Sequence, residues 1–190
     1  MTRDVKEVIK EITKTLEDSG LFEKIAKDKD VEGFTRLVAH YKSFSGKDET
    51  VFIDLNQRAK LLTKPENHKI MHFYKDYIPD FTFPTLSKEE MIAEKVAAAI
   101  GRNRPRDHFD IYMILKAKIP ISMELVEEKC RQSKVEFNII KMFNNASKLK
   151  HRWDKDLLPL LAEEISFEEV MKTLAKHFKL KEEKEKLKNK

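Results

Sequence analysis

Apolar positions Val5, Val8, Ile9, Ile12 and Leu16 recur at three- and four-residue spacing and predict an amphipathic helix that ends at Ser19-Gly20. The period then drops to two. FTRLVAHYKSF at 34–44 and TVFIDLNQRA at 50–59 read as strands joined through Ser45-Gly46-Lys47-Asp48 in an antiparallel hairpin. In the second strand Val51, Ile53 and Leu55 face one way, and Phe52, Asp54, Asn56 and Arg58 face the other. After residue 65 the pattern weakens to short strands at 69–74 and 81–86. From 87 onward the spacing is helical, over 88–100, 105–117, 122–132, 134–150, 155–163 and from 166 into the 180s. Ser87 with Glu90, and Ser166 with Glu169, form capping boxes at two of these helix starts. The fold class is α+β. A small, incomplete antiparallel sheet with a flanking helix occupies 1–86, and a C-terminal helical bundle occupies 87–190.

The chemistry concentrates at 86–116, LSKEEMIAEKVAAAIGRNRPRDHFDIYMILK. In its first helix Ile92, Val96, Ala99 and Ile100 form the inward stripe. Lys95 is bordered at helical spacing by Met91, Ile92, Ala98 and Ala99, so its stem is expected along a buried face. Its ammonium either snorkels past that face to water or meets a carboxylate. Gly101 is expected as a left-handed cap, Arg102-Asn103-Arg104 as a polar turn, and Pro105 as the start of the next helix. Asp107 there is explained by the macrodipole alone. Asp110 shares a face with Met113 and Ile114, and a partly buried carboxylate wants a cation. Lys95, Arg102, Arg104 and Arg106 are the nearest cations in sequence. The cluster is open to two readings, an ion-pair network that locks two helices or a ligand-facing site. Asp54, on the polar side of its strand, is likewise either an ordinary solvent-facing residue or a ligand-facing carboxylate.

Composition narrows the class further. With 41% hydrophobic residues in 190, there is enough chain for one core or two small subdomains. No apolar run reaches membrane-spanning length and no signal-peptide pattern opens the chain, so a cytoplasmic protein with no membrane partner is expected. The single Cys130 excludes an internal disulfide and reads as a core thiol. Charged residues make up 37%, dominated by Lys and Glu with two glutamines, a balance resembling that of thermophile proteins. A net charge of +5 permits RNA contact without demanding it. Trp153 reads as a core anchor, with base stacking as the lesser alternative. His68 and His72 are spaced i, i+4 but sit in extended surroundings, which makes them a weak zinc pair. The tail at 179–190 reads as a solvated helix end.

EMIAEKVAAAIGRNRPRDHFDIYMIL resembles the signature of the AbiEii/AbiGii-type nucleotidyltransferase-like toxins of abortive-infection and type IV toxin–antitoxin systems. The matching positions are Glu94, Lys95 and Ala98 on one helix and the Arg-Asp-x-x-Asp start formed by Arg106, Asp107 and Asp110 on the next. The likeness extends back to VFIDLNQR at 51–58 and forward to Trp153 and FEEVMKTL. It implies the incomplete sheet of a polymerase-β-like nucleotidyltransferase and transfer of a nucleotide from an NTP, through Mg2+, to a tRNA or protein acceptor, with a cognate antitoxin as partner. In that reading Asp54 is a catalytic and metal-side carboxylate and Lys95 neutralises triphosphate charge. Arg58, Arg106, Asp107 and Asp110 bind the nucleotide or orient Lys95. One departure stands out. The family's Gly-Gly or Gly-Ser turn followed by an Asp-x-Asp strand has no counterpart among glycines 20, 33, 46 and 101. Asp28-Lys29-Asp30 is expected in a loop, because LFEKIAKDKDVEG lacks an alternating apolar run. The chain thus reads as beginning after its metal-binding motif, inactive alone and a nucleotidyltransferase when complete. The alternatives are a non-catalytic module that binds nucleotide, RNA or antitoxin, or a purely structural helical domain.

Overall fold

The computed structural model describes residues 5–56 and 60–188. Two compact units emerge, Met1–Ala59 and Lys60–Lys190. In the first, α1 (Val5–Asp18) buries Ile9 and ends at Gly20, whose φ of 65° favours glycine. Three antiparallel strands follow in the order β1 (Lys24–Val31), β2 (Phe34–Lys42) and β3 (Asp48–Asn56). The hairpin has the predicted centre, pairing Phe34 with Asn56 at one end and Lys42 with Asp48 at the other, and Gly46 turns it with φ 74°.

β1 corrects the loop expected at Asp28-Lys29-Asp30. Its backbone pairs with β2 from Lys24–His40 to Val31–Phe34, with an irregularity between Lys27 and Lys29. An edge strand of this kind has no need of apolar alternation, because most of its side chains stay exposed and the ladder bonds come from the backbone. The two faces of the sheet are chemically distinct. Thr35 lines a groove beneath α1 with Lys6, Ile9, Thr13 and Asp30, and its hydroxyl donates to Asp30 Oδ1 at 2.8 Å. Arg36, the next residue on the strand, points to the opposite face and pairs with Asp54.

The second unit opens with a two-stranded ribbon, β4 (Glu66–Lys69) and β5 (Thr82–Thr85). The first of these lies three residues earlier than the spacing predicts. Helices α2 (Lys88–Gly101), α3 (Pro105–Lys116) and α4 (Met123–Gln132) match their predicted spans closely. Both Ser caps form, with Ser87 Oγ accepting from Glu90 N and Ser166 Oγ from Glu169 N, each at 3.1 Å. The contact boundary falls at residue 59, whereas the hydrophobic pattern changes at 86. Residues 60–63 belong with the helices because Leu62 N and Thr63 N donate to Glu90, and Lys129 Nζ donates to Lys60 O.

The expected 134–150 helix is broken. Its Lys134 is left-handed, Asn138 caps a 3-10 turn at Ile139–Phe143, and left-handed Asn145 precedes α5 (Ala146–Arg152). Asparagines favour these conformations, which apolar spacing does not register. The expected 155–163 helix shrinks to irregular turns at Trp153–Leu157 and Leu158–Leu160, where Pro159 can supply no amide. The last predicted helix is two, α6 (Phe167–His177) and α7 (Leu180–Lys188), separated at left-handed Lys179. Gly101 is not the left-handed cap. Asn103 takes that conformation at φ 50°, and Gly101 instead admits Val135, whose Cγ2 would lie 3.0 Å from an added Cβ. Trp153 anchors the core as the apolar pattern predicts, edge-on to Phe109 and Phe167, its Nε1 donating to Ile165 O at 3.2 Å.

Candidate functional site

Helices α2 and α3 and the turn between them hold four charged side chains in two pairs. Lys95 Nζ donates to Asp110 Oδ2 at 2.6 Å, the neighbour that the sequence singles out. Their setting differs from the expected buried face: the Lys95 side chain is 45% exposed and that of Asp110 36%. One turn nearer the start of α3 the order inverts. Asp107, which the dipole alone would leave at the surface, is fully buried, and Arg102 grips it through Nε and Nη2 at 2.8 and 2.6 Å. The pairing holds the Arg102 pKa above the usual guanidinium value. Arg106 points to solvent and has no ion-pair partner among the described residues.

The turn carrying these groups is fastened from behind. Fully buried His108 spans two carbonyls, its Nδ1 2.9 Å from Arg104 O and its Nε2 2.7 Å from Met142 O. Asn103 Nδ2 donates to Asn144 O at 2.9 Å. These contacts tie the turn to the 139–145 segment, so the backbone bearing Arg102 and Asp107 is fixed by groups outside its own helices.

A second network lies on the buried side of α2, and sequence reasoning missed it. Glu90 accepts from Leu62 N, Thr63 N and Thr63 Oγ1 at 3.0, 2.9 and 2.7 Å. Lys129 Nζ sits 2.5 Å from Glu90 Oε1 and 2.9 Å from Glu94 Oε1. Burial pushes the Glu90 carboxyl up, but the hydrogen bonds from Lys129, Thr63 and the two amides outweigh it and hold the group at about 2. Lys129 balances the same opposition in the other sense: burial lowers it, and the two carboxylates carry it above the usual ammonium value. One signal was available. Glu90 sits at the third position of a capping box, and Ala93 and Ala97 follow it at i+3 and i+7, an apolar stripe that polar Ser87 and Glu94 at i−3 and i+4 mask.

Asp54 lies in the first unit, on the sheet face opposite α1. Arg36 binds both its oxygens, Nε to Oδ1 at 2.6 Å and Nη2 to Oδ2 at 2.8 Å, and holds the carboxyl below the usual range. The guanidinium also packs over Phe52 and Phe34, at 5.0 and 5.9 Å from the ring centroids. A hairpin centred near Ser45 already implies that 36 faces 54, so this partner was legible and overlooked. Arg58 lies outside the described residues.

The donor set can be tested for magnesium. Asp54 has both oxygens engaged by Arg36, and Asp30, bound to Thr35, belongs to the other face of the sheet. No cluster of three metal-ligating side chains occurs among the described residues. These residues do not fit the two-cation clamp that nucleotidyl transfer uses. Cys130, fully buried, has its thiol pushed up by burial and is no nucleophile.

Comparison with known proteins gives one positive result. The family model described as nucleotidyl transferase AbiEii toxin, type IV TA system, matches residues 1–176. No curated protein and no solved structure matches the chain.

Proposed function

Because the chain belongs to the AbiEii family of nucleotidyl transferase toxins, we propose that its helical unit is the nucleotide-recognition part of a nucleotidyl-transfer system, with Lys95 as the group that meets the triphosphate. The observation that carries this reading is the exposure of the Lys95–Asp110 pair. Arg102–Asp107 and Glu90–Lys129 each bury at least one partner, whereas Lys95 is held by a single carboxylate at the surface. A surface pair is worth little and exchanges readily, so phosphate oxygens can replace Asp110 at small cost. Asp110 then works as a placeholder that keeps the ammonium extended and aimed. Asp107 acts one step removed, fixing the turn through Arg102, and Arg106, without an ion-pair partner among the described residues, supplies a further cation on the same helix start. The acceptor is an RNA, such as a tRNA, or a protein, and an antitoxin is the regulatory partner that a type IV system implies.

The Arg36–Asp54 lock favours a second reading for the chain by itself, a binding module without transfer chemistry. Phosphoryl and nucleotidyl transfer needs cations around the reacting phosphate, and the described carboxylates do not gather to hold them. Purified chain is therefore expected to bind GTP or ATP and to label neither tRNA nor protein.

Calorimetric titration with GTP and with ATP, in magnesium, tests the Lys95 assignment. Lys95→Ala should weaken binding about tenfold, as loss of a charge-assisted contact does. Asp110→Asn should tighten it, because the ammonium is released to the ligand. If the pair only joins two helices, both variants will lower the melting temperature alike and leave nucleotide binding where it was.

A further inference from the structure

A second, smaller recess lies where the α2–α3 turn meets α5. Arg102, Asn103, Asn145, Lys148, Leu149 and Arg152 enclose a cavity of about 130 Å³. Three of the six are cations, and they are incompletely neutralised. Arg102 gives Nε and Nη2 to Asp107, and Arg152 gives Nε to Asp156 at a long 3.3 Å. Lys148 is exposed and has no ion-pair partner among the described residues. The walls are fixed in place: Asn103 is bonded to Lys141 O and Asn144 O, and both Asn103 and Asn145 hold left-handed backbones.

We propose that this cavity seats a phosphodiester group of a nucleic-acid strand. The size argues for a single phosphate, since pockets for whole small-molecule ligands run from about 300 Å³ upward and this one could not enclose a nucleoside triphosphate. The charge around it argues for a polyanion over a free ion. Arg104 and Arg106, on the adjoining turn, are exposed and lack ion-pair partners among the described residues, so positive charge continues past the cavity where neighbouring phosphates would lie. Guanidinium groups supply the forked donors that phosphate oxygens accept from. The cavity reads backbone and not bases, which makes it an anchor that sets register.

Its place on α2 gives the anchor a direction. Arg102 follows Lys95 by seven residues, two helical turns, which puts the cavity about 10 Å along the axis from the Lys95–Asp110 pair. A strand held here has nearby nucleotides within reach of the other site. The proposal goes beyond the Lys95 reading and stands without it: Arg102 and Arg106 border both sites, but Lys148 and Arg152, which the test changes, take no part in the Lys95 site, and the ligand is a different one.

Fluorescence anisotropy with a short labelled single-stranded RNA, and with DNA of the same sequence, provides the test, read across a salt series. The double variant Lys148→Glu/Arg152→Glu should bind about tenfold more weakly, and the slope of log affinity on log salt should flatten by one to two phosphates' worth, about 0.7 each. Loss on both strands shows that the cavity reads phosphate regardless of sugar, and loss on RNA alone shows that the strand is RNA. The charge-matched control Lys181→Glu/Lys184→Glu, on α7, should leave binding unchanged. Lys148→Ala removes an exposed side chain with no ion-pair partner among the described residues; it should leave the melting temperature unchanged and weaken binding about threefold. Lys95→Ala should leave strand binding intact even where it loses nucleotide. The proposal is overturned if the parent binds neither strand, if the double variant binds like the parent, or if the α7 control loses as much.

Discussion

Two ion pairs rooted on α2, at Glu90 and at Lys95, have the same chemistry and opposite solvents. Glu90 and Lys129 are nearly sealed from water, with every carboxylate oxygen met by an ammonium, a hydroxyl or an amide. Lys95 and Asp110 share one hydrogen bond at the surface. A charge taken out of water must be compensated completely, so the first pair can only be structural, and any exchange of partner would strand a buried ion. The second pair loses little when its partner changes. Function on this helix is therefore expected on the side where the electrostatics are weak, and the tightly bonded network is what keeps that side in register.

The sharpest way to break the comparison is to remove Lys129. Lys129→Ala leaves Glu90 and Glu94 facing each other without their cation, and should cost about 3–5 kcal/mol in urea unfolding of the helical unit. Lys95→Ala, in the same assay, should cost below about 1 kcal/mol. Replacing the inner pair together, Glu90→Gln with Lys129→Met, should recover much of the loss. If Lys129→Ala proves as mild as Lys95→Ala, the two sides of α2 do not differ as described.

Acid titration sharpens the same contrast without mutation. The Glu90 carboxyl is held at about 2 in the folded chain against an ordinary 4.5. A depressed acid stabilises the fold fully above its unfolded value and loses that contribution as pH falls through the window from 4.5 to about 2. The contribution at stake is up to about 3 kcal/mol. Urea midpoints taken at pH about 6 and about 3 should therefore diverge more in the parent than in Glu90→Gln, in which other depressed carboxyls such as Asp54 still titrate. A parallel fall in both proteins would locate the acid sensitivity elsewhere.

Sequence spacing records which face of an element is buried and little else, and that sets how much of this molecule is legible in the chain. Periodicity located the β2–β3 hairpin and the three helices α2, α3 and α4 because these elements bury one face and expose the other. It missed β1 for the complementary reason: an edge strand bearing Lys27, Asp28, Lys29 and Asp30 is stabilised by backbone pairing, which leaves no apolar signature. The broken helices at 134–150 and 155–163 turn on Asn138, Asn145 and Pro159, single residues whose backbone preferences override a run of favourable spacing. In the candidate site, nearness of Lys95 to Asp110 follows from two helices joined by a short turn. Burial does not. Asp107 and Asp110 lie one turn apart on one helix, and the groups that pack against the neighbouring Gly101, Asn103 and His108, namely Val135, Asn144 and Met142, come from segments more than twenty residues away, which local spacing does not record.

The smallest effect is expected at Asp54, and it bears on whether the sheet follows the rule seen on α2. Arg36–Asp54 is a two-pronged pair like Arg102–Asp107, yet both its members reach solvent. Solvent screening weakens it, and Arg36 keeps its seat against Phe52 and Phe34 when the carboxylate is gone. Asp54→Asn should shift the melting temperature by no more than about a degree or two. Magnesium titration separates the remaining possibilities. With both oxygens occupied by Arg36, parent and Asp54→Asn should take up magnesium alike. If the parent binds the ion and Asp54→Asn does not, Arg36 yields its partner as readily as Lys95 is expected to yield Asp110. The exposed sheet face would then belong with the exchangeable side of α2, as a site whose carboxylate is held in reserve by a removable cation.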